Sequence, residues 1–410
     1  MARHGQLPAV QVAGKDLTRP ATEPGGRPRP VLVVRLDATL IEAASPKAQA
    51  AGHYKGGFGF HPLTSWATNI EDALAVMQRP GNAGSFTATD HLAVLKAALI
   101  QIPAPWRTDV LVSIDGAGAS HDVIDYLTSL NTAAAHGNRG RRVEYTIGWP
   151  VDEPTVAGIE QLRHSDWGAA VHADGALDPA AQVADLTGIM RHGPGADRLA
   201  TWPRCMRLIA RRTPRPANKP AKIGEHPDWE YGAFVTNTPG GQVQFLDTRH
   251  RTQAHVEDRM KQFKACGARN LPSIDYSRNA AWLQLAALAT SLTPGCATSN
   301  WTATWPKPPP RRCASPILSA PARLVTHARR RILKLPPGRA WSGDLATPGT
   351  ASTPCTRLDP TPTRPDHPAA PADHGTGAHP STFGHLAMTT AAFPPQNDSQ
   401  LRRSRSYGSA

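Results

Sequence analysis

The chain has 410 residues, 40% of them hydrophobic and 40 of them Pro, with a formal net charge of +13. That length allows roughly two to three domains and a real buried core. No run of about 18 apolar residues exists, which excludes a spanning helix; the amino terminus lacks the apolar stretch of a secretory signal; and five Cys without a CxxC pair exclude a disulfide framework and a structural zinc site. The expectation is a reduced, cytoplasmic protein without membrane contact.

Residues 1–30 are rich in Pro, Gly and Arg, show no periodicity, and are expected to form a disordered arm. The run VLVVRLDATLIE (31–42) predicts a buried strand interrupted by Asp37. GGFGFHPLTSWA and ALAVMQRPGN predict two more strands, the second ended by a turn at Pro80, Gly81 and Asn82. TATD (87–90) offers capping residues ahead of a helix in which Leu92, Leu95, Leu99 and Ile102 recur at helical spacing. Pro103 and Pro105 stop it. DVLVSID (109–115) is another apolar run ending in an acid, followed by a helix over 120–130 and a strand over 143–149. Strand–helix–strand alternation is the signature of an α/β layer. Between 151 and 250, short apolar runs alternate with turn residues, which predicts a mainly antiparallel insertion. Residues 252–266 read as a helix bearing Glu257, Arg259, Lys261 and Lys264, and 279–292 as an apolar helix.

Residues 291–410 hold 19 of the 40 Pro, and 14 Lys and Arg against five Asp and no Glu. Their net charge is +9, which leaves +4 for the first 290 residues. Residues 293–410 therefore read as a low-complexity basic tail, with a short helical remnant at 317–337. Within that remnant ARRRILK (328–334) is either a DNA-backbone contact or a solvated basic helix.

Three acids stand out by position. Asp37 lies inside the first apolar strand, Asp115 ends the strand DVLVSID, and Glu257 lies on a helix. A carboxylate inside an apolar strand is costly to bury unless paired or metal-bound. Reactive groups of open α/β sheets gather at strand ends. Two such Asp and a helix Glu can converge to hold two divalent metals by oxygen ligation. Metals roughly 3.5–4 Å apart activate a water or a 3′-hydroxyl and stabilise the leaving oxygen of a phosphodiester. On spacing alone the blander reading is stronger: Asp115 caps a turn, Asp37 pairs with Arg35 or a lysine, and Glu257 belongs to a solvated helix face. Gly116-x-Gly118 fails as a dinucleotide fingerprint because His121 replaces the third Gly. Gly56, Gly57 and Gly59 suit a hairpin better than a phosphate cradle. Asn82 reads as a turn residue or an active-site contact. Trp66, Trp106 and Trp149 are assigned to the core.

The segments LDATLIEAASPKAQAAGHYKGGFGFHPL (36–63), RPGNAGSFTATDHLAVL (79–95), VSIDGAGASHDVIDYL (112–127), FVTNTPGGQ (234–242), RHRTQAHVEDRMKQFKACGARNLP (249–272) and NAAWLQLAALA (279–289) follow in order. Together, over about 31–292, they resemble the catalytic domain of DDE-type insertion-sequence transposases of bacteria. The resemblance implies a ribonuclease H-like α/β fold, a mixed sheet flanked by helices, with a β-rich insertion at 151–250 between the second Asp and the Glu. It implies that Asp37, Asp115 and Glu257 bind two Mg2+, with Mn2+ as a substitute. Asp258 is the neighbour to exclude, since successive helix positions point about 100° apart.

The family's Tyr, Arg, Glu and Lys signature falls on His250, Gln253, Glu257 and Lys264, of which only the last two match in type. Lys264, two turns beyond Glu257, is expected against a DNA phosphate. Arg259 is the candidate replacement for the cation absent at Gln253, and His250 and Asn82 complete the expected DNA contacts. The implied activity is cleavage and strand transfer of an insertion sequence. The implied partners are transposon ends and target DNA, engaged by a homodimer in a nucleoid-associated synaptic complex. A metal-dependent ribonuclease H-like nuclease or resolvase, and an inactive remnant that at most binds DNA, are the alternatives. Only 36 residues precede Asp37, so the family's amino-terminal DNA-binding domain is expected to be truncated. The stretches 293–316 and beyond 347 read as out-of-frame text.

Overall fold

A computed structural model describes residues 7–20, 26–84, 87–116, 118–133, 140–193, 197–221, 226–298, 323–327 and 330–334. Strand β1 (Leu32–Ala38) occupies the interior of a nine-stranded sheet, as its run rich in Val and Leu suggests. On one side β2 (Leu63–Ala67) and then β3 (Asp72–Met77) pair antiparallel. On the other, β4 (Asp109–Ile114) and β5 (Arg142–Trp149) run parallel to β1. The parallel connections are made by α1 (Ala88–Gln101), after β3, and α2 (His121–Ser129), between β4 and β5.

Residues 151–250 are built differently. They contain α3 (Glu153–Glu160), β6 (Gly168–Val171), β7 (Leu177–Asp185), α4 (Thr187–His192), α5 (Asp197–Ala200), β8 (Arg207–Pro214) and β9 (Trp229–Thr236), and end in α6 (Val243–Arg251). The four strands are antiparallel to one another and continue the same sheet, in the order β3-β2-β1-β4-β5-β9-β8-β7-β6. This is a large mixed sheet flanked by helices, consistent with the ribonuclease H-like fold that the resemblance implies. Leu186, Met190 and Leu199 join the core that Leu95, Val123 and Leu127 of α1 and α2 form on one face. On the opposite face, α7 (His255–Phe263) and α8 (Tyr276–Thr298) close a second core around Trp66 and Phe263, whose rings meet edge to face at 6.0 Å. No helix among the described residues is long and apolar enough to cross a membrane.

Two expectations need correcting. The amino-terminal arm is ordered over 7–20. Gln11–Val12 pairs with Lys15–Asp16, and Thr18–Arg19 with Arg29–Pro30. Val10, Val12 and Leu17 are buried against Val31, Val33 and Leu111. The composition is that of a flexible arm, but these few apolar side chains cover a strip of sheet. The described part of the remnant at 317–337 is not helical either. Arg323–His327 and Arg330–Lys334 form an antiparallel hairpin with Val325 opposite Ile332, a pairing that suits β-branched residues. Helix α8 itself runs on to Thr298, past the boundary drawn at 292. Of the stretches expected to be out of frame, 293–298 falls within α8 and the remainder lies outside the described residues.

Candidate active site

Side chains alternate faces along a strand, so Val33, Arg35 and Asp37 of β1 share one face, as do Leu111, Ser113 and Asp115 at β4. Leu36 pairs with Ile114 in the parallel register. Asp37 and Asp115, each the next residue, therefore emerge at the same end of adjacent strands. That shared face carries three levels in succession: apolar Val33 and Leu111 under the arm, polar Arg35 and Ser113, then the two acids.

Asp37 is half-buried and Asp115 and Glu257 are exposed. The Asp37 carboxyl is raised to about 7, first by burial, with repulsion from Asp115 and Glu257 adding to it. A hydrogen bond from the Ala38 N–H to its Oδ1, at 2.8 Å, and the Lys264 ammonium act in the opposite direction. The three carboxylates and Lys264 thus share one electrostatic neighbourhood. Asp258 is exposed and accepts the Lys261 ammonium at 3.0 Å. The donor chemistry suits a hard divalent cation. The spacing does not close on one: among the described residues, no three His, Cys, Asp or Glu form a group able to hold a metal ion.

The polar level beneath the acids was missed by sequence reasoning. Arg35 is only 2% exposed and has four neutral partners. Its guanidinium donates to Thr68 Oγ1 at 2.8 Å, Thr252 Oγ1 at 2.7 Å, Gln253 Oε1 at 3.2 Å and Ser113 Oγ at 3.4 Å. Burial lowers Arg35 to about 9. Gln253 Oε1 also accepts from the Ser113 hydroxyl at 2.7 Å, and its Nε2 donates to the Leu36 carbonyl at 2.9 Å. Each member precedes an acid by one structural repeat: Arg35 before Asp37, Ser113 before Asp115, Gln253 one helical turn before Glu257. That shared offset was the available sequence signal.

The signature position Gln253 and the expected contacts His250 and Arg259 pair within the chain. Gln253 is buried between β1 and β4, so a longer cation at this position would not reach a phosphate. His250 stacks on Phe234, with centroids 4.5 Å apart, and its Nδ1 lies 2.9 Å from Thr146 Oγ1. Burial, with Arg35 and Arg249 nearby, lowers the imidazole to about 3, so it carries no charge for a phosphate. Arg259 is held by Glu71 at 2.7 Å. Lys264 begins a π-helical turn, Lys264–Ala268, and is half-buried. Burial, Arg269 and Lys55 lower its ammonium, while Asp37 and Glu42 raise it. Asn82 is exposed on the turn after β3.

The arrangement is anchored by a second polar cluster. Arg249 of α6 meets Glu144 of β5 at 3.0 Å, each 2% exposed, and Arg19 of the ordered arm reaches the same carboxylate at 2.7 Å. Burial alone would raise Glu144, but Arg249 and Arg19 bring it down to about 2.

The family model described as Transposase DDE domain group 1 matches residues 6–347. No curated protein matches the chain. Among solved structures, the cryo-EM structure of a piggyBac transposase synaptic complex with hairpin DNA is similar at a TM-score of 0.39 and 6% identity, over 70% of this chain and 51% of that one. This chain thus spans about half the length of that transposase, and a similarity of this degree bears on neither the fold nor the chemistry. The family match covers most of the chain, from the ordered arm through the carboxyl-terminal hairpin, and on that ground the chain belongs to the DDE-domain transposases of group 1.

Proposed function

We propose that the chain cleaves DNA strands and transfers them to a target, as the transposase of a bacterial insertion sequence, with Asp37, Asp115 and Glu257 as the ligands of two divalent cations, Mg2+ or Mn2+. The observation that supports this most is the β1–β4 register, which sets Asp37 beside Asp115 while Glu257 stays within electrostatic reach. When bound, the cations supply an activated water or 3′-hydroxyl and stabilise the leaving oxygen. The chain's own residues do the rest. Lys264 holds a phosphate beside the acids, and the Arg35, Ser113 and Gln253 level fixes the three carboxylates relative to one another. Transposon-end and target DNA are the proposed partners, with two copies of the chain joining two ends.

The test is incubation with end-bearing DNA and Mg2+, comparing the wild-type chain with Asp37→Asn, Asp115→Asn and Glu257→Gln. Cleaved and joined products from the wild type alone are expected. Cleavage without joining would instead indicate a nuclease or resolvase. A second reading is favoured by one observation, the spacing of acids that does not close on a metal. On that reading the fold binds DNA without cutting it, and wild type shows neither cleavage nor stabilisation by cations. The aberrant stretch at 293–316 is proposed to come from a shifted reading frame. An alternative frame of the gene should then encode apolar helical text; if neither does, this part is wrong.

A further inference from the structure

The residues between β1 and β2 form a small three-stranded sheet, Ile41–Glu42, Phe58–Phe60 and Ala51–Gly52, in that spatial order. It starts three residues after β1, so it stands at the end of the central sheet from which Asp37 emerges. Ile41 and Phe60 are buried in the core shared with α7 and α8, which fixes its base.

The turn over 53–57 is held from beneath. The His53 N–H donates to the Gly57 carbonyl at 2.9 Å, and the His53 ring, buried, meets Glu42 Oε1 at 2.8 Å. Gly56 adopts a φ of +83°, and a Cβ on Gly57 would fall 2.5 Å from His53 Nε2 and 2.6 Å from Glu42 Oε2. The turn is therefore specified by its own glycines and by the contact of the His53 ring with Glu42.

This rigid base carries an unusual crest. Tyr54 is 74% exposed and Phe58 43% exposed. The Lys55 ammonium, also exposed, stands 5.7 Å from the Tyr54 ring centroid. Two large aromatic side chains held in water by a constrained turn do nothing for the core. Lys264 lies within charge range of Lys55, Arg269 and Asp37. Exposed aromatic rings set among cations, beside a site for phosphodiester chemistry, match single-stranded nucleic acid: every base has a π-face to stack and every phosphate a charge to pair.

We propose that the 53–58 turn is a strand-binding crest, with Tyr54 stacking an unpaired base of the DNA strand at the carboxylates and Lys55, with Lys264 and Arg269, holding the adjoining phosphates. This rests on the reading of the site as one for DNA. It adds a structural preference that the acids alone do not provide, for an end with unstacked nucleotides over a fully paired one.

The test is binding without catalysis. The full chain in EDTA is titrated with a duplex bearing a short single-stranded overhang that contains 2-aminopurine, and with its blunt counterpart. The wild type should prefer the overhang and quench its fluorescence. Tyr54→Ala should lose about tenfold or more in overhang affinity and the quenching, whereas Tyr54→Phe, which keeps the ring, should retain both. Lys55→Ala should keep the quenching and reduce the salt dependence by about one phosphate contact. Thermal unfolding of each variant should match wild type, because these side chains are exposed. If Tyr54→Ala keeps the preference and the quenching, the crest proposal is overturned, even where Mg2+-dependent cleavage proceeds. If the overhang is preferred and quenched through Tyr54 while no cleavage occurs with Mg2+, the crest stands and the catalytic reading fails.

Discussion

Ser113 donates its hydroxyl to Gln253 Oε1 at 2.7 Å, across 140 positions of sequence. That hydrogen bond fastens β4 to the short 3-10 turn Thr252–Ala254 that leads into α7. Arg35 of β1 donates to the same oxygen. One buried amide thereby fixes the three elements that carry Asp37, Asp115 and Glu257.

The first prediction concerns that amide. Gln253→Arg introduces the residue type of the family signature but places a second buried cation against Arg35. Unfolding in denaturant should show a loss of about 3 kcal/mol, the scale of an uncompensated buried charge. DNA affinity and its salt dependence should not improve. A variant as stable as wild type with a steeper salt dependence would show that position 253 does face phosphate.

The second follows from Asp37. Its folded value of about 7 lies above the ordinary carboxylate value near 3.9. Between those values the folded chain holds a proton that the unfolded chain has released. This contribution to stability is complete below about pH 4 and is lost as pH rises through 7. Asp37→Asn should remove that part of the slope and exceed wild type in Tm at pH 8. A divalent cation competes with the same proton, so Mg2+ should raise the wild-type Tm more at pH 8 than at pH 6. Identical pH profiles for the two proteins would count against the raised Asp37 carboxyl.

Glu144 has the opposite sign. Held at about 2, it stabilises the fold above its ordinary value, and that stabilisation is lost as pH falls through about 2. Glu144→Gln leaves Arg249 buried without its counter-charge and should cost about 3–5 kcal/mol in denaturant unfolding. The double variant with Arg249→Met should recover part of that loss, and a double-mutant cycle measures how much.

Deleting residues 1–20 should lower Tm, because it uncovers Val31, Val33 and Leu111 and removes Arg19 from Glu144. Re-exposing each apolar side chain costs on the order of 1–2 kcal/mol. A disordered arm could be removed without any change in Tm, so a calorimetric scan separates the two.

Lys264→Ala should weaken DNA binding about equally across sequences, reduce the salt dependence by about one contact, and leave unfolding nearly unchanged. Filter binding over a salt series reads the first two and a thermal melt the third.

The strands and helices around the acids were legible because each rests on a local repeat. Of the run 31–42, Leu32–Ala38 is the buried strand that its Val and Leu residues announced, while Ile41–Glu42 pairs in a separate small sheet. The helix over 88–101 shows its Leu spacing directly. Asp37 and Asp115 were legible as candidates because an acid in or at the end of an apolar run is costly without a partner, and the family resemblance joined Glu257 to them. Signature positions alone did not reveal that His250 and Gln253 pack inside the protein. Whether a polar side chain faces a ligand or its own protein depends on what packs over it, here Phe234 and Ser113, distant in sequence.

The sequence by itself determined the strands and helices that rest on a local repeat, and that Asp37 and Asp115 stand in or at the end of apolar runs, since both follow from neighbours a few residues apart. Only the tertiary structure decided the rest. The β1–β4 register sets Asp37 beside Asp115, the buried guanidinium of Arg35 underlies them, and a Pro-rich arm becomes part of the core. These depend on contacts between residues tens to hundreds of positions apart, and no local pattern encodes which surfaces meet.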